Sequence, residues 1–303
     1  LDGLGWDGDE LKALLESTTP IGASETDDDV PEVDDGPAVS ARGEVYHLGP
    51  HRLVCGDCTD PAVWVSVLGD ERADAIVTSP PYAVGVDYGE YDDTIEMLRG
   101  LIAKASTVWR SVVVDGGFAV VNFGDLISGK AVAGSDEPCE YPMALEYWPP
   151  FRAAGWLLWS RRAWCKPNPR CAAPWTASSN RAAADWEHVW TWKMPGAPIA
   201  SRQNGSNLGW VDTTTLPGVD IGKDIHGAGM PVGAAAWLIT SHTRDGGIVA
   251  EPFCGTGTTI IAAARTGRVA RGVELSPKYC DLIRRRWHRY ATEHGLDVGD
   301  GLP

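Results

Sequence analysis

Several features that would assign the chain to a membrane, to the secretory route or to a repeat fold are missing from the sequence. No run of 18 apolar residues occurs, which excludes a hydrophobic transmembrane helix. Neither a signal-peptide pattern nor an internal repeat is present. The first residue is Leu1 rather than Met, as expected for a piece of a longer polypeptide. With 303 residues, 44% of them hydrophobic, the chain fits one sizeable globular domain with an appended region.

Cysteine is also sparse. The seven cysteines are an odd number scattered along the chain, which argues against a framework of disulfides. Cys55 and Cys58 form a C-x-x-C pair, a spacing used by zinc sites and redox centres. No second such pair follows, and Cys165 and Cys171 are spaced too widely to complete a zinc site. We therefore expect no metal and a reducing, cytoplasmic setting.

The negative charge is concentrated at one end of the chain. The formal net charge is −15, but residues 1–36 hold twelve Asp or Glu and one Lys and so carry −11. The remaining 267 residues carry only −4, so a local basic patch there can still serve a phosphate backbone. The basic clusters of this remainder are Arg161, Arg162, Lys166 and Arg170, and later Arg284, Arg285, Arg286 and Arg289. The second cluster is equally compatible with an ordinary solvated surface.

Short apolar runs alternate with helical patterns from about residue 43 onward, which is typical of a parallel sheet flanked by helices. We predict a Rossmann-like α/β fold, with a seven-stranded, mostly parallel sheet, helices on both faces and a small loop-rich insertion. The predicted strands are Arg52–Cys55, Ala73–Thr78, Phe118–Asn122, Trp156–Trp164, Glu187–Trp192, Gly247–Ala250 and Val269–Val273. The predicted helices are 92–112, 231–243, 257–266 and 276–291. The last should begin with Ser276 as N-cap and Pro277 in its first turn.

Four regions are predicted along the chain. Residues 1–42 combine an N-terminal helix with an acidic, disordered linker, so order should begin near Gly43. Residues 43–193 and 231–303 supply the two halves of the α/β domain. Residues 194–230 are rich in Gly, Asn, Pro and Thr and lack sustained periodicity, which indicates an insertion built from loops.

A glycine-rich turn follows one of the predicted strands. The segment Glu251-Pro-Phe-Cys-Gly-Thr-Gly257 leads into a helix, and its glycines let the backbone approach a ligand closely. The next strand ends in Glu274, where a carboxylate can accept hydrogen bonds from two ribose hydroxyls. A dinucleotide site would need a third glycine. Glu251 would also repel a pyrophosphate, whereas it suits the positive amino group of S-adenosylmethionine. We therefore expect S-adenosylmethionine as cofactor, with an unliganded structural turn as the alternative.

A second motif, Ser79-Pro80-Pro81-Tyr82, follows the strand Ala73–Thr78 and so also lies at a carboxyl end. An aromatic amino group is a poor nucleophile because its lone pair is delocalised into the ring. The Ser79 hydroxyl and the Pro80 carbonyl can accept its hydrogen bonds and favour a tetrahedral nitrogen. Tyr82 offers a face on which an extruded base can stack. Displacement at a sulfonium then needs alignment rather than a metal. The alternative is a plain loop with Tyr82 packed on the core.

Together these segments resemble the permuted β class of amino-methylating DNA methyltransferases over roughly residues 43–291. That class has its catalytic motifs first, then a target-recognition region, then the cofactor motifs. The resemblance therefore makes 43–193 the catalytic half, 194–230 the recognition insertion and 231–303 the cofactor-binding half. Other segments that resemble the family are His51–Asp60, Gly117–Asp125, Trp164–Pro169, and His226 with Pro231-Val232. The cofactor contacts implied by the resemblance are Asp57, Glu251, Phe253, Gly255, Gly257, Thr258 and Glu274.

The same resemblance implies double-stranded DNA as the substrate, with the target base flipped out of the helix. We expect nucleic-acid contacts from Lys166, Asn168 and Arg202, although an exposed turn explains the first two equally well. Self-association is also implied. The N-terminal piece and its acidic linker are similar to the tail of ParB-like domains that are fused upstream of phage and bacterial methyltransferases.

Two positions depart from the family pattern. Glu251 stands where Asp is usual, which keeps the charge, and Met230 stands where Lys is frequent, which puts the role of that position in doubt.

The segment Thr78-Ser-Pro-Pro-Tyr82 resembles the cytosine-N4 type, whereas adenine-N6 enzymes of this class more often carry Asp in place of Ser79. We expect methylation of cytosine N4, with adenine N6 as the alternative, since a hydroxyl accepts from either amino group. The motifs are also compatible with an RNA or protein-amide substrate and with a non-catalytic DNA-binding module.

Overall fold

The computed structural model describes residues 27–34, 36–81, 94–128, 139–165, 186–199, 210–212, 230–300 and 302–303. Several predictions fall outside these residues. They are the helix within residues 1–20, most of the insertion at 194–230, and the side chains of Tyr82, Lys166, Asn168, Arg202 and His226. Within the described residues, no helix is both long and apolar enough to span a lipid bilayer.

Eleven strands and six helices make up the described part of the chain. The strands are β1 (Val45–Leu48), β2 (His51–Cys55), β3 (Ala73–Thr78), β4 (Val113–Phe123), β5 (Leu126–Ser128), β6 (Cys139–Tyr141), β7 (Leu157–Cys165), β8 (Trp186–Lys193), β9 (Trp210–Asp212), β10 (Ile248–Glu251) and β11 (Val269–Glu274). The helices are α1 (Pro61–Leu68), α2 (Ile95–Val112), α3 (Ala144–Ala153), α4 (Val232–His242), α5 (Thr258–Arg265) and α6 (Pro277–Glu293).

The main sheet has the order β1-β2-β11-β10-β3-β4-β8-β7-β9. Its five central strands, from β2 to β4, are all parallel, whereas β1 and β8 run antiparallel to their neighbours. This mostly parallel α/β sheet confirms the predicted fold class. The described sheet has nine strands rather than seven, because β1 folds back on β2 as a hairpin and the short β9 pairs with β7.

Helices cover both faces of the sheet. On one face α1, α2 and α3 pack their apolar side chains into a core that includes Trp64, Trp109 and Phe151. On the other face α4, α5 and α6 build a second core that includes Ile239, Ile260 and other buried side chains. Parallel strands buried on both faces require near-continuous apolar sequences, and all six residues of β3 are indeed buried.

The helix α6 begins as its sequence indicates, with Ser276 at the N-cap and Pro277 in the first turn. Its residues Cys280, Ile283 and Trp287 are buried, which confirms the predicted core face. Two helices were not predicted. The helix α1 spans only eight residues, and α3 contains two internal prolines, so neither carries a clear helical pattern.

The acidic segment before residue 43 differs from its prediction. We expected a disordered linker, but residues 27–34 and 36–41 lie along α6 and make defined contacts with it. The amide N–H groups of Val39 and Ser40 each donate to the carboxylate of Asp281, at 2.8 Å. Asp27 is buried. The physical reason is charge, because this acidic stretch faces the arginines of α5 and α6.

Candidate active site

Four neighbouring parallel strands end at one edge of the sheet and bring both sequence motifs together. In the order of the sheet, their last residues are Cys55 of β2, Glu274 of β11, Glu251 of β10 and Thr78 of β3. The strand register places Glu274 beside Cys55 and Glu251 beside Gly272. Side chains at the carboxyl ends of such strands face a common crevice, which is where α/β proteins bind ligands.

The glycine-rich turn between β10 and α5 has the form that its sequence predicts. Gly255 and Gly257 adopt positive φ angles of 49° and 84°, a conformation that favours glycine. The amide of Gly257 donates to the carbonyl of Cys254 at 2.7 Å, and the amide of Cys254 donates to Val273 of β11 at 3.1 Å. A Cβ atom at position 257 would lie 3.1 Å from the Ile283 side chain, so α6 packs closely against the turn.

Glu251 joins the two motifs directly. Its Oε1 atom accepts from the Thr78 hydroxyl at 2.5 Å and from the amide of Phe253 at 3.0 Å. Its Oε2 atom accepts from the Thr259 hydroxyl at 2.7 Å. Thr78 immediately precedes Ser79, so a hydrogen bond connects the strand that carries the catalytic motif to the strand that carries the cofactor motif.

The second acidic residue, Glu274, is anchored by backbone donors. Its Oε2 atom accepts from the amide of Gly255 at 2.8 Å, and its Oε1 atom accepts from the amide of Ser276 at 2.9 Å. The carboxylate has about four lone pairs in all, and the amide of Leu275 is a third backbone donor to it. Capacity for a further donor therefore remains, which suits the predicted contact with the ribose.

Both carboxylates are buried, and burial raises their pKa values. The pKa of Glu251 rises to about 8, because burial outweighs the hydrogen bonds from Thr78, Phe253 and Thr259. Burial also raises the pKa of Glu274 to about 7, against the hydrogen bonds of three backbone amides. A cation placed between them would favour their ionised forms. Clustered acids with raised pKa values at one edge of a sheet are typical of a functional site.

The proline turn of the catalytic motif continues β3. Pro80 is buried, whereas Ser79 and Pro81 are half-buried at the edge of the sheet. The neighbouring strand β4 runs parallel, with Thr78 paired to Val121. Ser79 therefore follows directly from the strand whose last hydroxyl binds Glu251. Tyr82, the fourth residue of the motif, lies outside the described residues.

The other predicted cofactor residues lie around the same edge. Asp57 is exposed just beyond β2, and its Oδ1 atom accepts from the amide of Thr59 at 2.8 Å. Phe253 is half-buried and packs edge-on against Trp109, with ring centroids 6.2 Å apart. The hydroxyl of Thr258 accepts from the guanidinium of Arg286 at 3.2 Å, so it contacts α6.

Sequence reasoning did not single out a histidine near the catalytic motif. His188 of β8 pairs with Phe123, the last residue of β4, and so lies at the same edge, two strands from Ser79. Its Nε2 atom is 3.1 Å from Oδ2 of Asp125, and its ring stacks on Phe123 with a centroid distance of 4.8 Å. Burial raises the pKa of Asp125, but the hydrogen bonds from His188 and the Met143 amide, together with the charge of His188, outweigh burial and lower the pKa overall.

Thr78, Thr259 and Arg286 were also missed. Thr78 adjoins the motif that was recognised, so its position next to Ser79 was a usable signal. Thr259 and Arg286 act through contacts that only the folded chain brings together. Within the described residues, no group of three or more His, Cys, Asp or Glu side chains is arranged to hold a metal ion.

The fold and the acidic residues on either side of the glycine turn are those of a Rossmann-like methyltransferase. A family profile for DNA methylases matches residues 73–285, which is more than half of the chain. The chain therefore belongs to the N6/N4 DNA methylase family, and the resemblance stated from the motifs is confirmed.

Similar proteins come from several bacteria. The chain is 31% identical over 137 residues to the type II methyltransferase M.BglI of Bacillus subtilis, a match that covers 44% of the chain and 39% of that relative. It is 26% identical over 275 residues to the type II methyltransferase M.SmaI of Serratia marcescens, covering 78% of the chain and 90% of the relative. The chain thus spans less than half of the first relative and most of the second.

A solved structure of a similar protein has a similar fold. The chain resembles TTHA0409 of Thermus thermophilus, a proposed DNA modification methylase crystallised with S-adenosylmethionine. The TM-score is 0.59 at 27% identity, and the match covers 84% of the chain and 99% of that structure. The cofactor that the sequence predicts is therefore the one bound by a structural relative.

Proposed function

We propose that this protein is a DNA methyltransferase that transfers a methyl group from S-adenosylmethionine to the exocyclic amino group of a flipped-out base. The hydrogen bond of 2.5 Å between Thr78 and Glu251 carries this proposal. It joins the strand leading into Ser79-Pro80-Pro81 to the glycine turn, so a cofactor at the turn and a base at Ser79 would share one crevice. Family membership supports the same activity.

The acidic side chains at the glycine turn fit S-adenosylmethionine, which carries two positive charges, on its sulfonium and on its amino group. The buried carboxyl groups of Glu251 and Glu274 have raised pKa values, as expected for acids whose cationic partner is still to bind. We assign the ribose hydroxyls to Glu274 and the adenine to Asp57, with Phe253, Gly255, Gly257 and Thr258 forming the remaining wall. When bound, this cofactor supplies a methyl group on a sulfonium, which an amino nitrogen can displace.

The protein itself contributes alignment and hydrogen-bond acceptors. The Ser79 hydroxyl and the Pro80 carbonyl accept the two N–H groups of the amino nitrogen, which turns its lone pair toward the methyl carbon. Pro81 restrains the turn that carries them, and Tyr82 provides the surface on which the base stacks. Once the nitrogen has formed its new bond, it carries one proton too many and releases it to solvent water.

Cytosine N4 is the proposed target, because the hydroxyl of Ser79 is typical of that type within the β class. Adenine N6 is the second candidate, and the same acceptors would serve it.

We propose that the substrate is duplex DNA, that residues 194–230 read its sequence, and that Lys166, Asn168 and Arg202 contact it. We further propose a homodimer, a ParB-like domain upstream and a bacterial or phage-infected cytoplasm as the setting.

The activity is tested by incubating the protein with methyl-labelled S-adenosylmethionine and either duplex DNA or RNA. The DNA comes from a strain without methyltransferases and is then digested to nucleosides for mass spectrometry. We expect label in DNA and N4-methylcytosine in the digest. N6-methyladenine would replace the cytosine assignment, and cofactor binding with no methylated product in DNA would replace an enzyme with a binding module.

Two variants test the division of roles within the site. Ser79→Ala removes an acceptor for the amino group, so we expect kcat to fall by about 10²-fold, a common effect of losing one catalytic group. The Kd for S-adenosylmethionine should stay unchanged. Glu274→Ala should instead weaken cofactor binding, as calorimetry would show. Ser66→Ala, on the exposed face of α1, is the control. Equal losses of rate and affinity in both variants would contradict this division.

A further inference from the structure

The acidic segment that precedes β1 is held against the cofactor half of the protein. We call residues 27–34 and 36–41 the N-terminal strap. The carboxylate of Asp27 pairs with Arg265 at the end of α5, at 3.3 Å, and both side chains are buried. Farther along the strap, the Ser40 hydroxyl accepts from Arg284 of α6 at 3.1 Å. The strap therefore bridges α5 and α6, the two helices that flank the glycine turn.

One buried side chain connects the strap to the cofactor turn. Arg286 of α6 is only 2% exposed. Its Nη2 atom donates to the carbonyl of Asp27 at 2.8 Å. Its Nη1 atom donates to the carbonyl of Thr256 at 3.0 Å, and lies 3.3 Å and 3.2 Å from the hydroxyls of Thr256 and Thr258. The two ends of a single rigid guanidinium thus hold the strap and the turn in fixed relation.

A second contact links the strap to α4. The Oδ1 atom of Asp28 accepts from the amide of Val232 at 2.7 Å, although 204 residues separate the two in sequence. The N-cap position of α4 is occupied by Pro231, whose side chain makes no capping bond. Asp28 therefore caps this helix from outside, and α4 packs against α5 in the same core.

Charge explains why the strap is acidic. Arg265 and Arg286 are buried, and burial lowers the pKa of Arg286 to about 10 while the nearby Asp28 and Asp27 raise it. A buried cation is costly unless it is paired and hydrogen-bonded. Without Asp27 and Asp28, the guanidinium of Arg286 would face low-dielectric surroundings and gain by moving toward water, away from Thr256.

We propose that the N-terminal strap is a working part of the cofactor site, in which Asp27 and Asp28 position Arg286 and thereby the Thr256–Thr258 portion of the turn. The inference rests on the proposed function, since it takes S-adenosylmethionine as the ligand of that turn. Coupling of this kind is reciprocal. If the docked strap raises the affinity for the cofactor, the bound cofactor must hold the strap down by the same factor.

The test compares variants of the complete chain by calorimetry with S-adenosylmethionine. Asp28→Ala removes the cap and a charge near Arg286, and Arg286→Lys replaces the two-ended fork by a single point charge. We expect each to raise the Kd by about tenfold, which corresponds to about 1.4 kcal/mol. The Kd should change by a larger factor than kcat at saturating cofactor, because Asp28 and Arg286 contact the α4 end and the glycine turn rather than the Ser79-Pro80 motif.

Two controls separate this role from general stability. Glu32→Gln removes a charge from an exposed position of the strap, and Asp281→Asn weakens the other strap anchor at Val39 and Ser40, away from the turn. Glu32→Gln should retain the wild-type Kd, whereas Asp281→Asn, which loosens only the end of the strap far from the turn, should raise it by less than either test variant. Urea unfolding without cofactor measures the stability of all four variants. A loss of affinity that follows stability, in controls and test variants alike, would overturn the proposal.

Hydrogen exchange provides the reciprocal measurement. In the wild-type protein, S-adenosylmethionine should slow exchange of the amides at residues 27–34 by about tenfold, the same factor as the loss of affinity. In Arg286→Lys this protection should disappear. If the wild-type protein binds the cofactor and strap exchange does not change, the strap has no positioning role. If the wild-type protein does not bind the cofactor, the proposed function itself fails.

Discussion

At the scale of single residues, the length of one side chain decides how the site is assembled. Glu251 reaches the hydroxyls of both Thr78 and Thr259 while its Oε1 atom also accepts from the amide of Phe253. Aspartate, which is usual at this position in the β class, is one methylene shorter. The longer side chain therefore lets one carboxylate bridge β10, β3 and α5 below the crevice.

Cofactor affinity should depend on pH through these acids. The pKa values of Glu251 and Glu274 are raised to about 8 and about 7, so both are largely protonated at pH 6. A cationic ligand binds best when they are ionised. Affinity should therefore rise between pH 6 and pH 8 and level off above, by up to about tenfold per pH unit for each proton released.

This pH dependence is measured by calorimetry in buffers of different ionisation enthalpy, which reports the protons released on binding. The ligand's own amino group titrates near pH 8, so the ratio of wild-type to Glu251→Gln affinity isolates the contribution of the protein. We expect Glu251→Gln to release about one proton fewer. A ratio that is constant from pH 6 to pH 8 would refute the assignment.

Residue roles were predictable where motif and strand end coincide. Glu251, Glu274 and Ser79 were identified because each directly follows a strand or belongs to a known motif, and the structure places all three at one edge. The partner of Glu251 was not predictable, because Thr78 lies 173 residues earlier in the chain. Contacts over such distances depend on strand order, which the periodicity of a single sequence does not contain.

At the scale of elements, the turn between β10 and α5 is tightly constrained at Gly257. Gly257 combines a positive φ with close packing against Ile283, so two independent constraints require glycine there. Gly267, after α5, has a similar φ of 67° but open space around it. Comparing substitutions at Gly257 and Gly267 therefore separates the cost of the backbone conformation, which both share, from the cost of crowding, which only Gly257 has.

We expect Gly257→Ala to destabilise the protein more than Gly267→Ala. A left-handed conformation costs a residue with a Cβ about 1–2 kcal/mol, and this applies to both variants. Only at position 257 must Ile283 also give way, which shifts the turn and weakens S-adenosylmethionine binding. Urea unfolding and calorimetry measure the two effects. Equal destabilisation, with equal cofactor affinity, would show that packing on α6 is unimportant.

Elements with strong periodicity were predicted and weak ones were not. All seven predicted strands exist. The central ones, such as β3, are buried on both faces and so leave continuous apolar runs in the sequence. The helix α1 was missed although Asp60 caps it and Pro61 begins it, since those signals apply to only eight residues. In α3, the internal Pro149 and Pro150 disfavour a helix, and the burial of Tyr147 and Phe151 overrides that preference.

At the scale of the whole molecule, the opposite charges of two distant segments explain why the N-terminal acidic segment was predicted to be disordered. The acidic stretch near residue 27 is typical of a disordered segment when considered in isolation, because it has too few apolar residues to form a core. Its partners are the arginines of α5 and α6, more than 230 residues later in the chain. The run Arg284–Arg289, considered as a phosphate-binding surface, instead supplies several of these internal contacts.

Two buried histidines should lose their stabilising effect in acid. Burial lowers the pKa of His51 and of His242 to about 4, well below the unfolded value of 6.5. Between these values the unfolded chain binds more protons at these two groups, so their contribution to the free energy of unfolding should fall as pH drops from 6.5 to 4. The raised pKa values of Glu251 and Glu274 act in the opposite direction over the same range. Each group adds up to about 1.4 kcal/mol per pH unit within this window.

Urea unfolding at pH 4.5, 5.5 and 6.5 measures this effect. The double variant His51→Gln and His242→Gln should be less stable at neutral pH, since Nδ1 of His51 accepts from Ala270 and His242 contacts Thr191. The difference in free energy of unfolding between the wild-type protein and the double variant should nevertheless shrink as pH drops from 6.5 to 4.5. An equal slope in both proteins would assign the acid sensitivity to other groups.

The order of strands in the sheet has a consequence for synthesis on the ribosome. The strands β10 and β11 lie in the middle of the sheet, between β2 and β3, yet they are the last two strands to be made. In a nascent chain that has emerged only as far as α4, the facing edges of β2 and β3 therefore have no strand to pair with. Such edges recruit other chains readily. Emergence of residues 248–293, which contain β10, α5, β11 and α6, closes the gap and completes both the crevice and the contacts of the strap.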